Sequence, residues 1–115
     1  MILVTVGMHC QPFDRLVRAA DGLGASVSET VLIQQGASCY ETTASRSFNF
    51  TDGATMATCI SGARVVVAHG GAGSILEVLG AGKPLVLVPR LKRFGECLDD
   101  HQVELVEALA EQGRA

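Results

Sequence analysis

Tryptophan is absent from this sequence, tyrosine occurs once, and aromatic residues make up only 4% of it. Stacking platforms for bases or sugars are therefore almost missing. Cations are also scarce: 9 Lys and Arg face 12 Asp and Glu, and the formal net charge of −3 disfavours a nucleic-acid partner held by its phosphates. No apolar run approaches the ~20 residues needed to span a bilayer. Met1 opens directly onto Ile2-Leu3-Val4-Thr5-Val6 with no charged leader or cleavage pattern, so a cytoplasmic location is expected. Cys10, Cys39, Cys59 and Cys97 form no Cys-x-x-Cys pair, which argues against a zinc ribbon or redox dithiol and for reduced, mostly buried thiols. His9 beside Cys10 has no second pair of ligands nearby in sequence, so no metal is expected.

What remains is 48% hydrophobic and rich in glycine, with 13 Gly, in 115 residues. That length suits one globular domain of the usual ~100–150 residues and excludes a multidomain enzyme. Residues 2–6, 31–33, 65–68 and 85–88 are apolar on both faces and rich in β-branched side chains, as strands covered by helices on both sides are. Between them the period turns helical. Phe13, Leu16, Val17 and Ala20 recur at i, i+3, i+4, i+7 after Pro12, with Gly22 and Gly24 as the expected stop. Residues 53–62 carry Met56, Cys59 and Ile60 behind the capping candidate Asp52, and residues 74–81 carry Ile75, Val78 and Leu79. A last helix is capped by Asp99 or Asp100, lined by Val103, Val106, Leu109 and Ala110, and ended by Gly113. Residues 35–50 are polar, with one short strand near residues 47–50. The alternation predicts an α/β fold: a Rossmann-like parallel sheet with helices on both faces. Ligands of such sheets sit beyond the carboxyl ends of the strands, here the loops after Val6, Ala68 and Val88.

The strand over residues 65–68 runs into His69-Gly70-Gly71-Ala72-Gly73-Ser74 and then at once into a helix. Glycines let a ligand approach the backbone, and a helix start aims free N–H groups and a positive dipole end at it, which suits a phosphate. A plain tight turn uses the same glycines. A P-loop is excluded because Pro84 follows Gly82-Lys83 where Ser or Thr is required. A dinucleotide fingerprint lacks its third glycine, at Leu76, and has Pro89-Arg90 where an acidic residue belongs, leaving only an NADP variant read through Arg90. Glu77 stands one turn beyond Ser74 and has two readings: a capping-box partner of Ser74, or a carboxylate accepting from two ribose hydroxyls. Asp99-Asp100-His101-Gln102 opens the final helix near the same edge.

The glycine run with Glu77, then Gly82-Lys83-Pro84, Val88-Pro89-Arg90 and Asp100-His101-Gln102-Glu104-Leu105, resembles the carboxyl-terminal domain of family 28 glycosyltransferases. Val4-Thr5-Val6-Gly7 and Phe13-Asp14-Arg15-Leu16 make it most similar to single-domain members, the small subunits of two-subunit transferases in dolichol-linked and exopolysaccharide synthesis. The resemblance implies one half of a GT-B architecture: a single nucleotide-sugar-binding domain over residues 1–115, shortened at its carboxyl end relative to most members. It implies a UDP-sugar as substrate, no cofactor or metal, and inverting transfer to a lipid-linked acceptor. It implies a heteromer with a membrane-associated subunit that supplies the acceptor half and recruits this chain to the cytoplasmic face of the membrane. In donor binding, His69, Gly70, Gly71, Ala72, Gly73 and Ser74 approach the diphosphate, Glu77 holds the ribose, and Gln102 with His101 contacts the donor sugar. No catalytic base is assigned, His9 being the one candidate. Arg90 and Arg93 are candidates for reading an anionic group on donor or acceptor. The rival functions are a non-catalytic nucleotide-binding regulatory module and an NADP-dependent oxidoreductase domain.

Overall fold

The computed structural model describes residues 1–7, 11–97 and 101–113. The elements run β1 (Ile2–Thr5), α1 (Asp14–Ser26), β2 (Val31–Gln34), β3 (Arg46–Phe48), α2 (Gly53–Gly62), β4 (Val65–His69), α3 (Ala72–Gly80), β5 (Leu85–Val88), a 3₁₀ turn (Lys92–Phe94) and α4 (His101–Glu111). All five strands are parallel, in the order β3-β2-β1-β4-β5. The chain starts in the middle of the sheet, builds outward to β3, then crosses back to β4. That reversal places a topological switch point between β1 and β4, where ligands of open α/β sheets bind.

Alternation along the strands divides the core in two. Ile2, Val4, Val31 and Ile33 pack against Phe13, Leu16, Val17 and Ala20 of the α1 segment on one face. Leu3, Val66, Ala68 and Leu85 pack on the other face against Ile60 of α2 and Ile75 and Val78 of α3, with Leu105 and Leu109 of α4 at the margin. Each fully buried aliphatic side chain contributes about 1.5–3 kcal/mol by leaving water. Helices therefore cover both faces, as the doubly apolar strand sequences require. No helix among the described residues is long and apolar enough to cross a membrane.

Several boundaries differ from the sequence expectation. α1 passes through Gly22 and Gly24 to Ser26. Gly24 serves packing instead of ending the helix: a Cβ there would overlap the Ser45 hydroxyl, so its absence lets the 43–45 loop lie against α1. α3 begins at Ala72, with Gly71 as N-cap, two residues before the expected start. α4 presents Leu105 and Leu109 to the core, and Ala110 is exposed. The capping candidates Asp99 and Asp100 lie outside the described residues. Among the described cysteines only Cys97 is buried; Cys59 is half-buried and Cys39 exposed, and none of the three is in a disulfide.

Candidate functional site

At the switch point β4 ends in His69, and the chain turns through Gly70 and Gly71 into α3. His69 is buried, its imidazole held between two glycines: a Cβ on Gly7 or on Gly71 would overlap the ring. Gly7 also has φ +79°, a left-handed backbone that favours glycine. A third close approach is at Gly70, where a Cβ would crowd Gln102 and Val106 of α4. The glycines thus seat one histidine and one helix as well as opening the backbone.

Three polar side chains, buried or half-buried, brace the loops around this turn. Gln34, 1% exposed, accepts through Oε1 from Thr5 Oγ1 (2.6 Å) and Gly7 N (3.0 Å), and its Nε2 donates to the carbonyls of Gly7 (3.1 Å) and Asn49 (2.8 Å). Arg90, 0% exposed, donates to the carbonyls of Val6 (2.8 Å), Gln11 (2.9 Å) and Glu96 (3.0 Å) and lies over the Phe13 ring at 4.9 Å. Gln102 accepts through Oε1 from Gly70 N (3.1 Å) and Arg90 N (3.0 Å), while its Nε2 faces His69 Nδ1 at 3.4 Å. Together they fix the ends of β1, β2, β4 and β5 relative to one another.

Two concavities meet at the start of α3. One, of about 220 Å³, runs from Thr5, Gly7 and Gln34 past Thr51 and Asp52 to Ser74 and Glu77. The other is a more open depression bordered by His69, Gly71, Gly73, Ser74 and Glu77. Ser74 and Glu77 border both. Ser74 Oγ is 3.2 Å from His69 Nε2. Being the third residue of α3, Ser74 does not cap it, and the cap residue Gly71 has no side chain to bond. The capping-box reading of Glu77 is thereby removed, and its exposed carboxylate faces the junction of the two concavities. Asp52 caps α2, accepting from Thr55 N at 2.7 Å, and that bond holds its carboxyl below the ordinary carboxylate range.

The sequence candidates fall into three groups. His69, the 70–74 backbone and Glu77 are brought together. Gln102 joins them from α4, but with its carbonyl committed to two backbone N–H groups, so only Nε2 could face a sugar. His101 is exposed beside Glu104, with Nδ1 and Oε2 3.8 Å apart. Arg90 requires correction as a surface anion reader: its guanidinium is enclosed by three carbonyls and Phe13, which also removes the NADP reading that depended on it. Arg93 is exposed, 4.8 Å over Phe94. His9 lies outside the described residues. Gln34, Thr51 and Asp52 were missed as cavity residues; Gln34 ends an otherwise apolar strand, an anomaly that could have flagged it. Among the described residues no group of three or more His, Cys, Asp or Glu is placed to hold a metal ion.

The model of the glycosyltransferase family 28 C-terminal domain matches residues 1–113. A human UDP-N-acetylglucosamine transferase subunit, ALG13, is 44% identical over 54 residues, 47% of this chain and 4% of the relative. A second relative, from Solibacter usitatus, is the UDP-N-acetylglucosamine--N-acetylmuramyl-(pentapeptide) pyrophosphoryl-undecaprenol N-acetylglucosamine transferase. It is 37% identical over 62 residues, 54% of this chain and 16% of the relative. Among solved structures, the calicheamicin glycosyltransferase CalG4 superimposes with a TM-score of 0.66 at 22% identity, covering 94% of this chain and 28% of that one. The glycosyltransferase of kitacinnamycin gives 0.68 at 22% identity, covering 95% and 28%. The matched stretch is thus a small part of each relative's length, and the fold is one Rossmann-like half of a GT-B glycosyltransferase.

Proposed function

The chain belongs to the glycosyltransferase family 28 C-terminal domains, and from that premise and the geometry of the β4–α3 turn we propose that it binds the UDP-sugar donor of a two-subunit transferase. One observation carries the reading: Glu77 and Ser74 stand where a helix start suited to an anion meets a cavity at the sheet's switch point. The diphosphate lies in the open depression on the N–H groups at the start of α3, where the helix dipole favours negative charge. Glu77 accepts from the ribose hydroxyls. The nucleobase enters the 220 Å³ cavity toward Thr51 and Asp52.

On this reading the reaction is an inverting displacement at the sugar carbon bonded to UDP. Negative charge grows on the β-phosphate as UDP departs, and the preorganised N–H groups of α3 with the Ser74 hydroxyl stabilise it. The acceptor, a lipid-linked sugar, and the base that deprotonates it are supplied by a membrane-associated partner subunit that brings this chain to the membrane. The name of the human relative, a transferase subunit, supports this division of labour. The hydrogen bonds of a charged group are worth about 1.5–3 kcal/mol, so Glu77→Ala weakens UDP by roughly 10- to 100-fold. Calorimetric titration of UDP, a UDP-hexose and NADPH against wild type and Glu77→Ala tests this. Equal UDP affinity in the folded variant overturns the ribose assignment. A hexose-independent affinity together with no transfer when the partner is added would favour a regulatory module.

A further inference from the structure

The family resemblance gives Gln102 to the donor sugar; its hydrogen bonds assign it another task. Two backbone donors, Gly70 N and Arg90 N, converge on one side-chain oxygen at 3.1 and 3.0 Å. Reversing the amide would set an NH₂ group against two N–H groups, so the orientation is fixed by donors that cannot move without unseating the β4–α3 and post-β5 loops. Nε2 therefore points toward His69 Nδ1, 3.4 Å away. An amide NH₂ can only donate, so Nδ1 must accept, and the neutral ring then carries its proton on Nε2. That nitrogen lies 3.2 Å from Ser74 Oγ. Gly7 and Gly71 flank the ring, and a half-turn within that slot would put carbons where Nδ1 and Nε2 stand and forfeit both contacts.

We infer that Gln102 is a positioning residue which, through His69, fixes the direction of the Ser74 hydroxyl. Gln102 donates to Nδ1, His69 donates from Nε2 to Ser74 Oγ, and the oxygen, having accepted there, directs its own proton into the depression at the start of α3. An anion in that depression meets one more aligned donor beside the backbone N–H groups. The relay refines the UDP-sugar reading and rests on it only for the identity of the anion. His69 thus acts on the diphosphate through Ser74.

Gln102→Glu is the informative variant. It keeps an oxygen for Gly70 N and Arg90 N but presents a second acceptor to Nδ1, so the neutral Nε2–H form is lost. Long-range ¹H–¹⁵N NMR of the unliganded protein reads the tautomer directly. The expected result is the neutral Nε2–H pattern for His69 in wild type and in Ser74→Ala, since Gln102 sets it, and its disappearance in Gln102→Glu. A proton on Nδ1 or a tautomer mixture in wild type overturns the relay, as does a change of tautomer in Ser74→Ala. These two proteins decide the matter even if Gln102→Glu does not fold. Affinity supplies the second arm. Ser74→Ala and Gln102→Glu each weaken UDP about threefold to tenfold, the range of one neutral hydrogen bond, and weaken uridine, which lacks the diphosphate, by less. The double variant is no worse than Ser74→Ala, because both act through one hydroxyl. Additive losses would mean that the introduced carboxylate acts by charge repulsion alone, and the relay fails. Absence of UDP binding in wild type with the Nε2–H pattern intact would instead overturn the nucleotide reading and leave the relay standing.

Discussion

The two edges of the sheet are closed in opposite ways. At the amino edge, Met1, Glu29 and Arg64 stand just ahead of β1, β2 and β4, and Glu29 bridges the other two, 3.0 Å from the Met1 amino group and 2.7 Å from Arg64 Nη2. These groups are exposed or half-exposed, and ion pairs in water contribute little. At the carboxyl edge the braces are Gln34, Gln102 and Arg90, buried or half-buried and bonded mainly to backbone atoms. Buried polar networks that are well satisfied specify one arrangement, and disrupting one leaves unpaired groups in a poor solvent. The difference teaches where precision is needed: ion pairs suffice to end a sheet, whereas the edge that presents the glycine turn is held by short bonds to specific carbonyls and N–H groups.

The contrast is sharpest at Arg90. Replacing it with Ala leaves the carbonyls of Val6, Gln11 and Glu96 without their donor and opens space beside Phe13. Unsatisfied buried acceptors and a cavity together predict a loss of about 2–4 kcal/mol, a fall of roughly 10–25 °C in melting temperature for a domain of this size. Arg90→Lys recovers little of it, since an ammonium cannot reproduce the planar fork or the stacking. Thermal unfolding of the two variants checks this. A variant as stable as wild type would show that the carbonyls find other partners and that the carboxyl edge is not braced as described.

Gln34→Leu comes next. The shape is nearly conserved while Thr5 Oγ1 and Gly7 O lose their partner, Gly7 N keeps only its 3.3 Å bond to Thr5 Oγ1 and Asn49 O only that from Gly36 N, so a loss of about 1–3 kcal/mol is expected in urea unfolding. Thr5 and Gly7 line the same cavity, so ligand-induced stabilisation should fall as well. A stability loss with full ligand response would separate the brace from the site.

How legible this was depends on where each constraint lies. Four strands and the Asp52-capped α2 follow from local patterns that agree with the tertiary structure. β3 was visible only as a short strand near residues 47–50, because an edge strand of three residues, Arg-Ser-Phe, has almost no pattern to read. The path of α1 through Gly22 and Gly24 was not legible, since its reason is the 43–45 loop, far along the chain. No local pattern announces that Asp21, 3% exposed, accepts from Thr43 N (3.0 Å) and Ala44 N (3.0 Å) to hold that loop. Burial alone would raise the Asp21 pKa; the bonds from Thr43 and Ala44 overcome this and leave it lowered. In the site, the glycine turn and Glu77 were legible because a helix start imposes local chemistry. Arg90 was misjudged because three carbonyls from separate loops converge on it, which no spacing announces.

The smallest expected effect is at the amino edge. Hydrogen bonds from Arg64 and from the chain's amino group lower the Glu29 pKa from the ordinary 4.5 to about 2. Because the folded-state value lies below the unfolded one, the stability this carboxylate contributes is complete above about pH 4.5, declines as pH falls, and is gone below about pH 2. Glu29→Gln therefore differs from wild type at pH 7 and converges with it in acid. Asp21 and Asp52, also lowered, titrate in both proteins and cancel from the difference. Raising ionic strength at pH 7 should shrink the same gap, since the pair is exposed to solvent, whereas the Arg90→Ala gap should stay. Urea midpoints of the three proteins at several pH values and two salt concentrations decide it. A Glu29→Gln gap that persists at pH 2 and in high salt would mean that Glu29 acts by packing, and the two edges would then differ less than their exposure implies.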